Sequence, residues 1–90
     1  MEIIVSKSFK KQAKRIVKNK PKLKEKINDC IIDFAKNLKS SKYYRKKLKG
    51  NYYGYEELQI GGDISVIARV SNERNLIVFE KIGTHSFFGW

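Results

Sequence analysis

The spacing of apolar residues changes from a helical period to a period of two near Gly50, and this change limits the fold more than any other feature. Before Gly50, one apolar stripe predicts a helix over residues 7–18, and a second predicts a helix from Pro21 to about Leu38. The first stripe consists of Phe9, Ala13, Ile16 and Val17. The second consists of Leu23, Ile27, Cys30, Phe34 and Leu38. Residues 39–47 are polar and break the period, so residues 42–49 are expected to form a loop.

Strands are predicted before and after these two helices. The strand segments are 2–5, 55–60, 64–70 and 76–81, each β-branched, alternating or apolar. The resulting order is β-α-α-β-β-β, in a single domain of residues 1–90. We therefore expect an α+β fold in which two N-terminal helices cover one face of a mainly antiparallel sheet. The other face is expected to stay partly open, with Asp63 and Arg69 directed out from it.

Positive charge is concentrated in the first half of the chain. The first 50 residues hold 17 of the 20 Lys and Arg residues and four acids, a net charge of +13. The last 40 residues hold three basic and five acidic residues, a net charge of −2. Such an uneven field favours a polyanion or an acidic partner, and nucleic acid is the first candidate because neutralising phosphates releases counterions.

Several classes of protein are disfavoured by what the chain contains. A single cysteine, Cys30, allows no internal disulfide, and no His/Cys cluster suggests a zinc site. The glycines stand between predicted strands and do not form a phosphate or dinucleotide loop. No apolar run is long enough for a membrane span or a signal peptide. We therefore expect a cytoplasmic protein with no cofactor, no metal and no membrane association.

His85 is the only histidine and the side chain best suited to exchange protons near neutral pH. It follows the last predicted strand, where it could equally be a surface or capping residue. Glu56 and Glu57 are neighbours on a strand, so their side chains point to opposite faces and cannot act as a carboxylate pair. One of them could face the open side of the sheet, although a salt bridge to the basic half is the simpler interpretation. Asp63 follows two glycines and is most simply a turn residue.

The segment from Tyr43 to Lys49 combines positive charge with aromatic rings. Its basic residues are Arg45, Lys46, Lys47 and Lys49, and five tyrosines lie within or close to it. Cations that bind phosphates and rings that stack on bases suit single-stranded RNA. The alternative is a solvated loop whose tyrosines pack on the edge of the sheet. The basic faces of the two helices could add a non-specific surface for phosphates.

Two blocks of sequence resemble a known family. The first runs Leu48-Lys49-Gly50-Asn51-Tyr52-Tyr53-Gly54-Tyr55-Glu56-Glu57-Leu58-Gln59-Ile60-Gly61-Gly62-Asp63, and the second runs Ile82-Gly83-Thr84-His85-Ser86-Phe87-Phe88. With the β-α-α-β-β-β order and the small basic chain, they resemble the RelE/ParE superfamily of bacterial type II toxins, most closely its YafQ-like branch. The resemblance implies a ribosome-dependent mRNA endoribonuclease that a cognate antitoxin inhibits. It also implies metal-free cleavage, in which a ribose 2′-hydroxyl attacks the neighbouring phosphate.

The resemblance also assigns roles by position. It implies that His85 is the main acid/base group, that Asp63 orients or assists the base, and that Phe88 packs on an RNA base. Lys46 and Gln59 stand where the branch has histidines, and Ile64 stands where it has a tryptophan. Lysine can bind phosphate and protonate an oxygen, whereas Gln59 cannot exchange protons near pH 7. The expected site comprises His85, Asp63 and Lys46 as catalytic residues, with Arg69, Phe88, Gln59, Lys47, Lys49 and Arg45 binding substrate.

The expected partners follow from these assignments. The basic helices and the 42–49 loop would bind ribosomal RNA, and the open face of the sheet would bind mRNA. An antitoxin with an acidic or amphipathic segment would lie across the basic groove. Two other functions stay open: a ParE-like toxin that poisons DNA gyrase without nuclease activity, and a plain nucleic-acid-binding domain. The altered histidine positions favour the gyrase poison, whereas the Gly-Thr-His ending is against it.

Overall fold

The computed structural model describes all of residues 1–90, which form five strands and three helices. In chain order these are β1 (Glu2–Val5), α1 (Lys7–Asn19), α2 (Leu23–Asn37), β2 (Tyr44–Lys47), β3 (Glu56–Gly61), β4 (Ile64–Ser71), β5 (Leu76–Thr84) and α3 (His85–Phe88). Single turns of 3₁₀-helix occupy Leu38–Ser40 and Gly50–Tyr52. The strands form one sheet in the order β1-β5-β4-β3-β2, with β1 parallel to β5 and every other pair antiparallel.

The two long helices pack against one face of the sheet, as expected from their apolar stripes. Ser6 begins α1: its Oγ accepts a hydrogen bond from Phe9 N at 3.0 Å and donates one to the Glu80 carbonyl at 2.7 Å. This residue therefore joins the start of the helix to β5. The core between helices and sheet contains Phe9, Ile27, Cys30, Phe34, Leu58, Ile60, Ile64, Val66, Ala68, Ile77, Phe79 and Ile82. None of the helices has the length and apolar character that a membrane crossing requires.

The expected loop over residues 42–49 is wrong at its centre, because residues 44–47 form the edge strand β2. This strand pairs with β3, and a bulge between Tyr44 and Lys46 leaves Arg45 as the extra residue. The apolar pattern did not reveal β2 because its side chains are polar. An edge strand pairs through its backbone and can keep its side chains in water. The sheet thus has five strands rather than four, and β5 continues to Thr84 before the short helix α3.

A second, smaller apolar cluster lies on the face of the sheet away from the long helices. Leu48, Ile67 and Phe88 are buried together there, with Tyr52 and Tyr55 packed against them. Phe88 comes from α3 and Leu48 from the segment after β2, so this cluster holds two chain segments against the sheet. The open face is therefore covered at one end, and His85 is held beside this covered region.

Candidate functional site

Glu57 is a buried carboxylate on the open face of the sheet. Its side chain is only 2% exposed, and Ser65 Oγ on the neighbouring strand donates a hydrogen bond to its Oε2 at 2.7 Å. The Nε of Arg45 lies 3.7 Å from the other carboxylate oxygen, Oε1. A buried charge is stable only when it is paired and hydrogen-bonded, and these two neighbours supply both conditions.

Main-chain contacts on both sides fix the position of His85 at the start of α3. Its N–H donates to the Asp63 carbonyl at 3.1 Å, and its carbonyl accepts from Trp90 N at 2.8 Å. The preceding residue, Thr84, caps the helix by accepting a hydrogen bond from Phe87 N at 3.1 Å. The position of the imidazole therefore depends on the β3–β4 turn as well as on its own helix.

The imidazole of His85 faces the Glu57 carboxylate. Nε2 of the ring is buried without a hydrogen-bond partner, and it lies 4.0 Å from Oε2 of Glu57. The side chain as a whole is 37% exposed. The ring is thus neither sealed inside the protein nor turned away from the open face, and a small movement would bring the two groups into hydrogen-bonding distance.

Arg45 and Gln59 form the side of the site towards β2. The bulge turns Arg45 onto the open face, where its Nη1 donates to Gln59 Oε1 at 2.6 Å. Gln59 Nε2 in turn donates to the Gly62 carbonyl at 2.7 Å. Because both ends of the Gln59 amide are engaged, this side chain holds Arg45 and the β3–β4 turn together.

A cleft of about 430 Å³ opens next to Glu57. Its walls are Lys46, Lys47, Leu48, Lys49, Glu57 and Trp90. Three lysines therefore surround a space that also reaches the buried carboxylate. Such an arrangement can bind a phosphate and place it beside groups able to exchange protons.

Phe88 and Trp90, two of the three aromatic residues at the C-terminus, differ in exposure: Phe88 is buried and Trp90 faces the cleft. Phe88 is only 9% exposed and belongs to the second apolar cluster, so its ring offers little surface to an RNA base. Trp90 is 46% exposed, stacks on Phe88 at 4.8 Å between ring centroids, and lies 5.7 Å from the His85 ring. In this conformation, Trp90 provides the aromatic surface next to the imidazole.

Asp63 and Arg69 do not line the cleft. Asp63 is exposed in the β3–β4 turn, and its contact with His85 is made by the main-chain carbonyl. Arg69 does emerge on the open face, but its Nη2 lies 3.9 Å from Glu80 and its guanidinium covers the Tyr55 ring at 5.4 Å. Among the residues expected from the sequence, His85, Lys46, Arg45 and Gln59 come together around Glu57, and Lys47 and Lys49 line the adjoining cleft.

Sequence reasoning missed Glu57 and Trp90. The alternation of β3 placed Glu57 on the same side as Gln59, and this parity was the available signal. Burial of a carboxylate depends on Ser65 and Arg45, which reach it from two other strands, so no local pattern revealed it. No group of three His, Cys, Asp or Glu residues comes close enough together to hold a metal ion.

Two aspartates of α2 anchor the turn that leads into β2. Asp29 accepts a hydrogen bond from the Tyr43 hydroxyl and lies 3.2 Å from the Lys42 ammonium, and these contacts lower its pKa. The same hydrogen bond, with smaller contributions from burial, raises the pKa of Tyr43 to about 12. Asp33 accepts from Ser41 Oγ and from Lys42 N. The helix thereby determines where β2, with Arg45 and Lys46, begins.

Solved structures of bacterial toxins share this fold. The chain matches a metal-bound toxin from Helicobacter pylori with a TM-score of 0.82, at 24% identity over 97% of both chains. It matches YafQ from E. coli strain BL21(DE3) with a TM-score of 0.81, at 22% identity over 97% of this chain and 96% of that one. It also matches the E. coli DinJ–YafQ complex with a TM-score of 0.78, at 24% identity over 96% and 94% of the two chains. These matches confirm the expected RelE-like α+β fold.

A family match over nearly the whole chain assigns this protein to the RelE/ParE class of toxins. Residues 1–88 match the family described as the bacterial toxin of a type II toxin-antitoxin system, YafQ, and the chain belongs to that family. This match confirms the resemblance seen in the two sequence blocks. No curated protein sequence matches the chain significantly.

Proposed function

We propose that this toxin is a ribosome-dependent mRNA endoribonuclease that inhibits translation. In the reaction, the ribose 2′-hydroxyl loses its proton and attacks the adjacent phosphorus, and the bond from phosphorus to the 5′-oxygen breaks. The products are a 2′,3′-cyclic phosphate and a free 5′-hydroxyl. The step needs one group to accept a proton, one to donate a proton, and cations to stabilise the charge on the phosphate.

The placement of His85 beside Glu57 is the observation that carries this proposal. The Glu57 carboxylate faces both the cleft and the imidazole, so it is our candidate to accept the 2′-hydroxyl proton. His85 donates a proton to the departing 5′-oxygen. Because its Nε2 is turned into the protein, Nδ1 is the nitrogen from which that proton leaves.

The surrounding residues bind the RNA in this proposal. Lys46, Lys47 and Lys49 contact the scissile phosphate and its neighbours, which combines the phosphate-binding and catalytic roles expected for Lys46. Trp90 takes the base-stacking role first assigned to Phe88, because Trp90 is the exposed ring of the stacked pair. Asp63 acts through its carbonyl to position His85, and Arg69 contributes charge further along the open face.

A cognate antitoxin is the second partner that we propose. The E. coli YafQ structure with DinJ is a complex of a relative with its partner protein. In this chain, the basic faces of α1 and α2 offer a surface for an acidic or amphipathic antitoxin segment, and the same surface would bind ribosomal RNA in its absence. Inhibition then follows from competition between the antitoxin and RNA.

Induced expression followed by primer extension on a reporter mRNA tests the nuclease. We expect discrete in-frame cuts in the translated reporter, none in a reporter whose start codon is removed, and none with His85→Ala. Growth arrest by His85→Ala equal to that of the parent would contradict a catalytic role for His85. DNA damage with intact mRNA would instead identify a gyrase poison, and harmless overexpression would indicate a plain nucleic-acid-binding domain.

A further inference from the structure

A second and larger cavity lies on the other side of the segment that follows β2. It measures about 690 Å³, within the range of roughly 300–1,000 Å³ that is usual for small-molecule sites. It opens where α2 ends, between the 3₁₀ turn of Leu38–Ser40 and the start of β3. Lys47, Leu48 and Lys49 line both this cavity and the cleft beside Glu57, so the two spaces share one wall.

Lys39 and Lys47 both line this cavity, which contains a single carboxylate, that of Glu56. Lys47 lowers the pKa of Lys39 through a side-chain hydrogen-bond interaction and through repulsion between like charges, whereas the Glu56 carboxylate acts in the opposite direction. Neither lysine forms a salt bridge. An anion placed between them would relieve this repulsion, and a phosphate has enough acceptor oxygens to contact both.

The rest of the cavity indicates which anion fits. Glu56 is its one carboxylate and stands against Lys39, Lys47 and Lys49, so the net charge of the lining is +2. Tyr53 is 83% exposed, which makes its ring an unoccupied flat surface beside the lysines. A phosphate site next to an exposed aromatic ring is the combination that binds single-stranded nucleic acid. An acidic peptide would use the lysines but would leave the ring of Tyr53 without a role.

We propose that this cavity binds a nucleotide that flanks the cleavage position in the same RNA strand, with a phosphate between Lys39 and Lys47 and the base stacked on Tyr53. This inference rests on the proposed nuclease function, because it assumes that an RNA strand occupies the cleft beside Glu57. The shared wall of Lys47 to Lys49 allows a continuous backbone to pass from one space to the other. Lys39 and Tyr53 line only the second cavity and therefore report on it alone.

Binding of a fluorescein-labelled single-stranded RNA, measured by anisotropy in the His85→Ala background, tests the site without cleavage. We expect Lys39→Gln to weaken binding and to reduce the slope of log K against log salt by about 0.7, the value for one phosphate on a single strand. Tyr53→Leu should weaken binding by roughly 10-fold through lost stacking. The matched control is Arg74→Gln, which removes an exposed charge in the β4–β5 turn without touching the cavity.

Equal effects of Arg74→Gln and Lys39→Gln would overturn the site, since a diffuse positive field would then explain the binding. The same conclusion follows if Lys39→Gln weakens binding of a poly-glutamate peptide but leaves RNA binding unchanged. Primer extension with the wild-type protein tests cleavage separately. If Lys39→Gln binds RNA normally and the wild-type protein cuts mRNA, the cavity is not an RNA site but the proposed nuclease function stands. Lost RNA binding in Lys39→Gln would support the site even if no mRNA were cut.

Discussion

His85 Nε2 lies 4.0 Å from Oε2 of Glu57, the same oxygen that accepts the hydrogen bond from Ser65. The carboxylate belongs to β3, an inner strand of the sheet, whereas the imidazole belongs to a four-residue helix after the last strand. The sheet therefore fixes one partner rigidly, and the β3–β4 turn and the C-terminal residues fix the other. An acid and a base held by different elements can approach a substrate from two sides.

Glu57→Gln should reduce mRNA cleavage by about 10²–10⁴-fold, because the amide keeps the shape of the side chain but cannot accept a proton. The rate is measured in a cell-free translation reaction that contains a reporter mRNA. The matched control is Glu73→Gln, which changes the charge equally in the exposed β4–β5 turn and should cleave at the parent rate. Cleavage by Glu57→Gln at the parent rate would show that Glu57 only supports the fold.

The helices and long strands could be predicted from the sequence because their apolar periods reflect burial against one core. The strand β2 could not, since Arg45, Lys46 and Lys47 face water and the strand is defined by backbone pairing with β3. The residues of the candidate site likewise include some that the sequence reveals and some that it does not. His85 and the lysines are visible as residue types, but the burial of Glu57 results from contacts with Ser65 and Arg45 on other strands.

Phe88 and Trp90 should respond differently to truncation. Phe88→Ala is expected to lower the free energy of unfolding by about 3 kcal/mol, because it empties the apolar cluster shared with Leu48 and Ile67. Trp90→Ala should have a smaller effect on stability but weaken binding of single-stranded RNA by roughly 10-fold. Urea denaturation and fluorescence anisotropy measure the two quantities. If Trp90→Ala binds RNA as the parent does, the ring is not a stacking platform.

Gly83→Ala tests how tightly the position of His85 depends on packing around α3. A Cβ at residue 83 would stand 2.4 Å from Cδ2 and 3.0 Å from Cβ of Phe87, so the helix has to shift. We expect a loss of about 1 kcal/mol in stability from overpacking and on the order of a 100-fold loss in cleavage from misplacement of the imidazole. Ser86→Ala, an exposed change on the same helix, is the control. Unchanged cleavage would mean that Phe87 simply rotates away.

Cys30 should be inert towards thiol reagents in the folded protein. It is fully buried, and burial, with the nearby Asp33 and Asp29 carboxylates, raises its pKa from 9.0 to about 12. At pH 8 its thiolate fraction is then about 1,000-fold smaller than that of a free thiol. The pKa of Cys30 is higher in the folded than in the unfolded protein. The stabilisation that comes from keeping this thiol protonated is therefore complete below pH 9 and is lost as the pH rises towards 12. Labelling at pH 8 should therefore require urea, whereas an exposed thiol introduced by Ser86→Cys in a Cys30→Ala background should react at once. Rapid labelling of native Cys30 would show that α2 opens from the sheet without global unfolding.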